Sequence, residues 1–476
     1  MSDAPLWSGL GLVAALQARV SGTPPLDGIG GISIDTRTVK AGDLFCAIRG
    51  DVHDGHDFVR SAFAAGAAAA VVDEAHALDL AGLPCLYIVD DVLRALERLG
   101  AMARARSAAR IVAITGSVGK TSVKEAMRLV MSDAGPTHAS VASFNNHWGV
   151  PLTLARLPAE ARYGIFEIGM NHAGEITPLV GLVRPQIALV TTVAAAHLEH
   201  FASVDEIADA KGEIFSGIAP GGVAIINRDI ATYGRLRGHA EASPARHILT
   251  FGEHPEADAR LLACTVGEDG SEVSADVLGH RVDFRLGAPG RHLAVNALGV
   301  LLAARAAGIA LEAAAASLGR ATAGQGRGAR ATLHLAHGTA TLIDESYNAN
   351  PTSMRAALAL LAAATPGAGG RRVAVLGDMR ELGAEAEALH AGLADDVLAA
   401  KIDLVHAAGP LSHALFMHLP PEMRGLWGET AAAIEGALAD GIGAGDVVMV
   451  KGSNGSRMGP LVAALKDRFR PTSAGR

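Results

Sequence analysis

The chain has 476 residues, 50% hydrophobic, 19% charged and 4% aromatic. That apolar share excludes a disordered chain, and at about 100–200 residues per domain the length predicts two to four domains. Lys and Arg number 41 against 49 Asp and Glu, a net charge of −8 with no long basic run, which excludes a general nucleic-acid binder.

Cys46, Cys85 and Cys264 lie far apart, with no CxxC or Cys/His metal spacing, so a reduced, cytoplasmic setting is expected. The first residues, MSDAPLWSGL, carry an acidic residue and no basic stretch ahead of an apolar core, so no signal peptide is predicted. The longest apolar runs (Ala62–Val72, Ile187–Ala196, Ala356–Ala364) fall short of the ~20 residues that cross a bilayer, so no membrane insertion is predicted.

In chain order, residues 1–90 open with a Pro/Gly turn region, Ser21–Gly31. Short strands are predicted at Gly31–Ile34, Leu44–Ala47, Ala70–Val72 and Leu86–Val89, with Ala-rich helical text between the later ones. This reads as a small α/β domain. Residues 91–320 follow another pattern: buried strands at Ile111–Thr115, Tyr163–Ile168, Ile187–Thr192, Val223–Ile226 and His247–Phe251, mostly separated by helices. Such alternation predicts βαβ units and a mainly parallel sheet, closed by an apolar helix at His292–Ala307. Ala321–Arg330 (ATAGQGRGAR) reads as a linker. Strands at Thr341–Asp344, Val373–Leu376, Ile402–Val405 and Val447–Val450 then predict a doubly wound, Rossmann-like third domain over 321–476.

The clearest chemistry lies in Ile111–Ser122, IVAITGSVGKTS. A strand enters a Gly-rich turn, then Lys-Thr, then a helix with Val123, Met127 and Val130 on one face. Gly116, Ser117, Val118 and Gly119 can bring backbone N–H groups against phosphate oxygens. Lys120 supplies charge, Thr121 offers a hydroxyl for Mg²⁺, and Ser122 opens the helix. The full Walker spacing fails, because Ile114 stands where its first Gly belongs; a shorter GxxGKT remains. Glu167 ends the hydrophobic strand YGIFEIGM and is either a magnesium carboxylate or a buried ion-pair partner. His197, in AAAHLEHF, is a ligand or a packed histidine. Lys211, in DAKGEIF, is a site residue or a solvated helix charge.

Together these segments resemble the Mur ligase family. The resemblance is carried by TGSVGKTS, FNNHWGVPLTL, FEIGMNHAGEI, AAAHLEHF, AKGEIF, GRHLAVNAL, DESYNANPTSM, VLGDMRELG and VKGSNGSRM, in family order. It implies three domains: one for a UDP-sugar, a central P-loop-type ATPase, and a Rossmann-like one for an incoming dipeptide. The implied activity is ATP-dependent joining of D-alanyl-D-alanine to UDP-N-acetylmuramoyl-tripeptide, by a monomer, in cytoplasmic peptidoglycan precursor synthesis.

By motif match, Gly116–Ser122 would hold the ATP phosphates, with Lys120 catalytic. Thr121, Glu167, His197 and a carbamylated Lys211 would serve Mg²⁺. Asn296 would contact adenine, Arg327 the ATP phosphates and Asp344 the ribose. Asp35, Thr36 and Arg37 would sit in the nucleotide-sugar segment; the alternative reading of this loose DTR text is a turn with an N-cap. Asn145 and Asn146 suit a peptidyl substrate. Tyr347, Asn348 and Asn350, and more weakly Lys451 and Ser453, suit the dipeptide. The sibling that adds diaminopimelate carries DNPR, and NANPTS has no Arg after its Pro. The rival readings are a sibling ligase adding another amino acid, a non-catalytic nucleotide-binding homologue, and a regulatory GTPase. The GTPase would need the full Walker loop and an NKxD text, and neither is present.

Overall fold

The computed structural model describes residues 5–50, 52–141, 143–196 and 198–471. Three sheets follow one another along the chain. The first holds β1 (Arg19–Gly22), β2 (Gly31–Ser33), β3 (Asp43–Cys46), β4 (Ala69–Asp73) and β5 (Cys85–Val89), in the order β1-β5-β4-β3-β2. All its neighbours are parallel except β1, which runs against β5 from within the segment read as part turn.

The central sheet holds β6 (Arg110–Thr115), β7 (Thr137–Ala139), β8 (Tyr163–Glu167), β9 (Ile187–Val190), β10 (Val223–Asn227), β11 (His247–Gly252), β12 (Ala259–Val266), β13 (Ser271–Val277) and β14 (His280–Leu286). Its order is β14-β13-β12-β11-β10-β9-β6-β8-β7. Strands β6–β12 are parallel, as the alternation with helices predicts. The antiparallel arm β12–β14 lies outside the predicted set. Its β13 alternates buried and part-exposed residues. Leu278 and Gly279, at φ 55° and 82°, make a two-residue reversal between β13 and β14.

The third sheet holds β15 (Ala329–His334), β16 (Thr339–Glu345), β17 (Arg372–Gly377), β18 (Leu404–Ala408), β19 (Arg424–Gly428) and β20 (Val447–Lys451), in the order β15-β16-β20-β17-β18-β19. It is parallel but for its edge strand β15, which begins inside the predicted linker. The fold is therefore α/β in three sheet-bearing units, with a Rossmann-like third.

The cores show which units are fused. One continuous apolar cluster runs from Trp7 and Leu12, through Leu96 and Leu99 of the helix Val92–Arg106, to Phe166, Ile207 and Phe215. The first unit and one face of the central sheet thus share a core. Polar pins reinforce the seam: Trp7 Nε1 donates to Ala155 O at 2.9 Å, and Arg156 Nε donates to Ile32 O at 2.7 Å. The third sheet has its own clusters on its two faces, and among the described residues neither reaches the central sheet. No helix among the described residues is long and apolar enough to cross a membrane.

Candidate active site at the phosphate loop

Strand β6 ends where its neighbours diverge, with β8 on one side and β9 on the other. In open α/β sheets such a switch point is where ligands bind. Gly116 and Gly119 both hold positive φ, 150° and 90°. A Cβ on Gly116 would lie 1.9 Å from Thr191 Oγ1, and one on Gly119 would lie 2.7 Å from Asn296 Nδ2. Only glycine fits either place, and the bare backbone leaves a cradle open to phosphate oxygens. The loop is tied to the end of β9. Ser117 N donates to Thr192 O at 2.8 Å, and Thr191 Oγ1 donates to Val118 O at 2.6 Å.

The loop feeds the helix Lys120–Ala134, whose N-terminal N–H groups face the cradle. Lys120 Nζ donates to Gly116 O. Burial holds Lys120 below the usual ammonium range, Glu167 opposes that shift, and Arg327 adds to it. Thr121 Oγ1 donates to Glu167 Oε2 at 3.0 Å, and Asn145 Nδ2 donates to Oε1 at 2.8 Å. Glu167 is 1% exposed. It touches a hydroxyl and an amide here, with no ion pair among the described residues. A hydroxyl and a carboxylate side by side are hard oxygen donors of the kind Mg²⁺ takes.

Lys211 is 1% exposed on the helix Val204–Gly212 and makes no side-chain hydrogen bond among the described residues. It is no solvated charge. Burial, helped by the nearby charge of Lys120, pushes its ammonium well below the ordinary range. His197 lies outside the described residues.

A cavity of about 350 Å³ opens above the loop. Ser117–Ser122, Asn145, Glu167, His292 and Asn296 line it from the central unit. Arg327 lines it from the linker, and Glu345, Tyr347, Asn348, Asn350 and Lys451 from the third unit. Lys451 is anchored by Glu345 Oε2 at 3.2 Å and Asn348 O at 3.0 Å. Beside it lies a more apolar cavity of about 520 Å³, walled by Val123, Ala126, Leu129, Ala297 and Val300, with Asn296 and Arg327 at its margin.

The other predicted residues engage local partners, and of them only Asn350 lines the cavity. Asp35 and Arg37 pair with each other beyond β2, Arg37 Nη2 to Asp35 Oδ2 at 2.6 Å, and neither they nor Thr36 line the cavity. Asn146 Oδ1 accepts Gly149 N at 2.9 Å, closing its own turn. Asp344 is buried at the linker: its carboxylate accepts Ser346 Oγ at 2.6 Å, Gly326 N at 3.2 Å and Lys466 Nζ at 3.3 Å. Asn350 caps the helix Pro351–Ala363 through Ser353 N at 2.9 Å. Ser453 Oγ accepts Arg380 N at 2.9 Å. Sequence reasoning missed Glu345, His292 and Ser143 as cavity residues, although all three sit inside or beside quoted motifs.

A glycine cradle on a parallel sheet, paired oxygen donors and a cavity shared with a Rossmann-like unit define a nucleotide-using ligase architecture. Family models agree: the Mur ligase family catalytic domain matches residues 28–131, the Mur ligase middle domain 114–304, and the Mur ligase glutamate ligase domain 330–454. The UDP-N-acetylmuramoyl-tripeptide--D-alanyl-D-alanine ligase of Escherichia coli K12 is 39% identical over 81% of this chain and 82% of its own length. The enzyme of that name from Rickettsia prowazekii is 31% identical over 96% and 99%. The crystal structure of MurF from Acinetobacter baumannii matches with a TM-score of 0.84 at 30% identity, covering 97% of this chain and 99% of that one. The chain belongs to the Mur ligase family.

Proposed function

We infer that this enzyme uses ATP to join D-alanyl-D-alanine to UDP-N-acetylmuramoyl-tripeptide, forming ADP and phosphate in peptidoglycan precursor synthesis. The carrying observation is the shared cavity, which sets Lys120, Thr121 and Glu167 of the central unit opposite Asn348 and Lys451 of the third. A phosphoryl donor and an amine acceptor bound on two units meet there.

In the reaction, a carboxylate oxygen of the tripeptide attacks the γ-phosphorus and releases ADP, leaving an acyl phosphate. The dipeptide amine, having lost a proton, attacks that carbonyl. The tetrahedral intermediate then loses a second proton from nitrogen, which the departing phosphate takes up, and expels that phosphate as the amide forms. Gly116–Ser122 cradles the phosphates, and an arriving phosphate anion favours the charged form of Lys120. Arg327 reaches the phosphates from the linker. Asn296 meets adenine, whose flat aromatic ring suits the neighbouring cavity, and Asp344, buried in its hold on Gly326 at the cavity wall, serves the ribose end. Asn145 and Asn146 position the peptidyl carboxylate, Asp35–Arg37 serve the nucleotide-sugar end, and Tyr347, Asn348 and Asn350 serve the dipeptide.

Thr121, Glu167, His197 and a carbamylated Lys211 would hold Mg²⁺, which when bound neutralises developing phosphate charge. Lys211 suits this role because its amine is desolvated and held toward the neutral form that reacts with CO₂. The enzyme acts as a cytoplasmic monomer with domain boundaries near 90 and 320. The test is phosphate release with ATP and UDP-N-acetylmuramoyl-tripeptide. Release that depends on D-alanyl-D-alanine supports the reading, and equal release without the dipeptide overturns it.

A further inference from the structure

One residue joins three parts of the molecule. Tyr347 follows β16 in the third unit, and its hydroxyl meets Ser143 Oγ of the central unit at 2.6 Å. Its ring lies under the Arg327 guanidinium of the linker, 4.0 Å from ring centre to cation. Its backbone N–H donates to Gly326 O at 3.1 Å. Gly326 has φ 70°, and a Cβ there would lie 2.9 Å from Tyr347 Cβ, so the linker is fitted to this tyrosine.

The central-unit end of the contact leads into the reaction centre. Ser143 stands two residues before Asn145. Asn145 donates its side-chain amide to Glu167 at 2.8 Å, and its backbone carbonyl accepts Gly169 N–H at 2.8 Å. Glu167 accepts the Thr121 hydroxyl on its other oxygen. An unbroken run of polar contacts and short chain therefore links the linker, Tyr347, the loop 143–146, Glu167 and the phosphate loop. Among the described residues the third unit shares no apolar cluster with the central one, so polar contacts of this kind carry the docking.

We propose that the Tyr347 hydroxyl is a positioning group for the ligation: docked on Ser143, it fixes the 143–146 loop, and with it Asn145 and Glu167, while the third unit sits on the central one. This gives Tyr347 a task apart from dipeptide recognition and gives Ser143 a task of its own. It rests on the reading of Glu167 and Asn145 as part of the reaction centre.

A double-mutant cycle tests it, using the full chain with Tyr347→Phe, Ser143→Ala and the pair. Tyr347→Phe keeps the ring beneath Arg327 and removes only the hydroxyl. Each single change is expected to lower kcat about tenfold, with KM for D-alanyl-D-alanine within twofold of the parent. The double variant should be no slower than the worse single, because both remove the same contact. A silent Ser143→Ala overturns the proposal. So do additive losses, and so does a Tyr347→Phe effect confined to KM for the dipeptide, the sign of substrate reading alone. Should Tyr347→Phe fail to fold, Ser143→Ala at the loop still decides: near-parental kcat overturns the proposal, and a tenfold loss with an unchanged melting temperature upholds it. Glu167→Gln run in parallel separates the two levels, since parental activity there would sink the reading of the centre rather than the latch.

Discussion

Thr121 and Glu167 meet at 3.0 Å although they belong to different βα units: the hydroxyl leaves the phosphate loop after β6, and the carboxylate ends β8. The parallel register makes this contact, since Ile114 of β6 pairs with Glu167 of β8. Each oxygen of this buried carboxylate accepts one hydrogen bond, from a hydroxyl and from an amide, which leaves further lone pairs for a cation. Glu167→Gln should therefore lower kcat by on the order of 10²–10³, the usual size for losing one preorganised electrostatic group. Magnesium titration of kcat is the check. Near-parental turnover at ordinary magnesium would remove Glu167 from the centre.

The glycine cradle gives a sharper steric test. Alanine at Gly119 must accept φ 90° and bring its Cβ to 2.7 Å from Asn296 Nδ2. The left-handed backbone alone costs about 1–2 kcal/mol for an L-residue. Gly119→Ala should raise KM for ATP at least tenfold and lower the melting temperature. A variant with unchanged KM would mean that the loop does not hold phosphate.

Much of this was legible in the sequence, and the limits have physical causes. Strands β6, β8, β9 and β10 are buried on both faces, so they appear as unbroken apolar runs, and the turn glycines after β6 mark the cradle. The arm β12–β14 escaped because it is half exposed and its strands carry Arg260, Glu272, Arg281 and Arg285 among apolar residues. The edge strand β15 was hidden by the glycines before it. Residue identity alone left Lys211 open between a surface charge and a buried amine, and only packing decides that. The placing of Asp344 and Asn350 in local hydrogen-bond networks is likewise invisible in one dimension.

A cluster in the first unit sets a pH-dependent stability. Asp54 Oδ1 lies 2.6 Å from His56 Nδ1, Asp73 Oδ1 lies 2.7 Å from His76 Nδ1, and the two imidazoles stack at 4.0 Å. Asp54, His56 and His76 bring ligating atoms within 4.8 Å of one another. However, His56 Nε2 accepts Asp73 N–H at 3.1 Å, which leaves the proton on Nδ1, facing Asp54. That tautomer makes a hydrogen-bonded clamp and spoils a metal ligand. Burial acts to raise both carboxyls, but hydrogen bonds from the histidines, and from Arg49 to Asp54, outweigh it and hold both below the ordinary range. Between each folded pKa and the unfolded value of about 3.9, the unfolded chain binds more protons. The stabilisation is thus present above about pH 4 and is lost as pH falls through the folded values. Asp54→Asn should melt below the parent at pH 6, with the gap narrowing steadily below pH 4. A gap independent of pH would show that the clamp works by shape alone.

Lys211 gives the most discriminating experiment. Its amine is buried and its folded pKa is depressed, so below the unfolded value of about 10.4 the unfolded chain takes up a proton that the native site resists. Unmodified, it therefore lowers stability at neutral pH, and that loss is recovered as pH rises. Carbamylation, if Lys211 carries the proposed modification, would replace the resisted ammonium with an anion and offer oxygens to magnesium. Bicarbonate with magnesium should then raise the melting temperature of the parent and leave Lys211→Ala unmoved. Lys211→Ala should lose turnover, and a small carboxylate in the buffer should restore part of it by filling the vacated space. Lys211→Arg decides between charge and carbamate: guanidinium stays protonated and cannot take up CO₂, so turnover should be lost although the positive charge remains. Parental kcat for Lys211→Arg at saturating magnesium would eliminate the carbamate and reduce Lys211 to a buried cation.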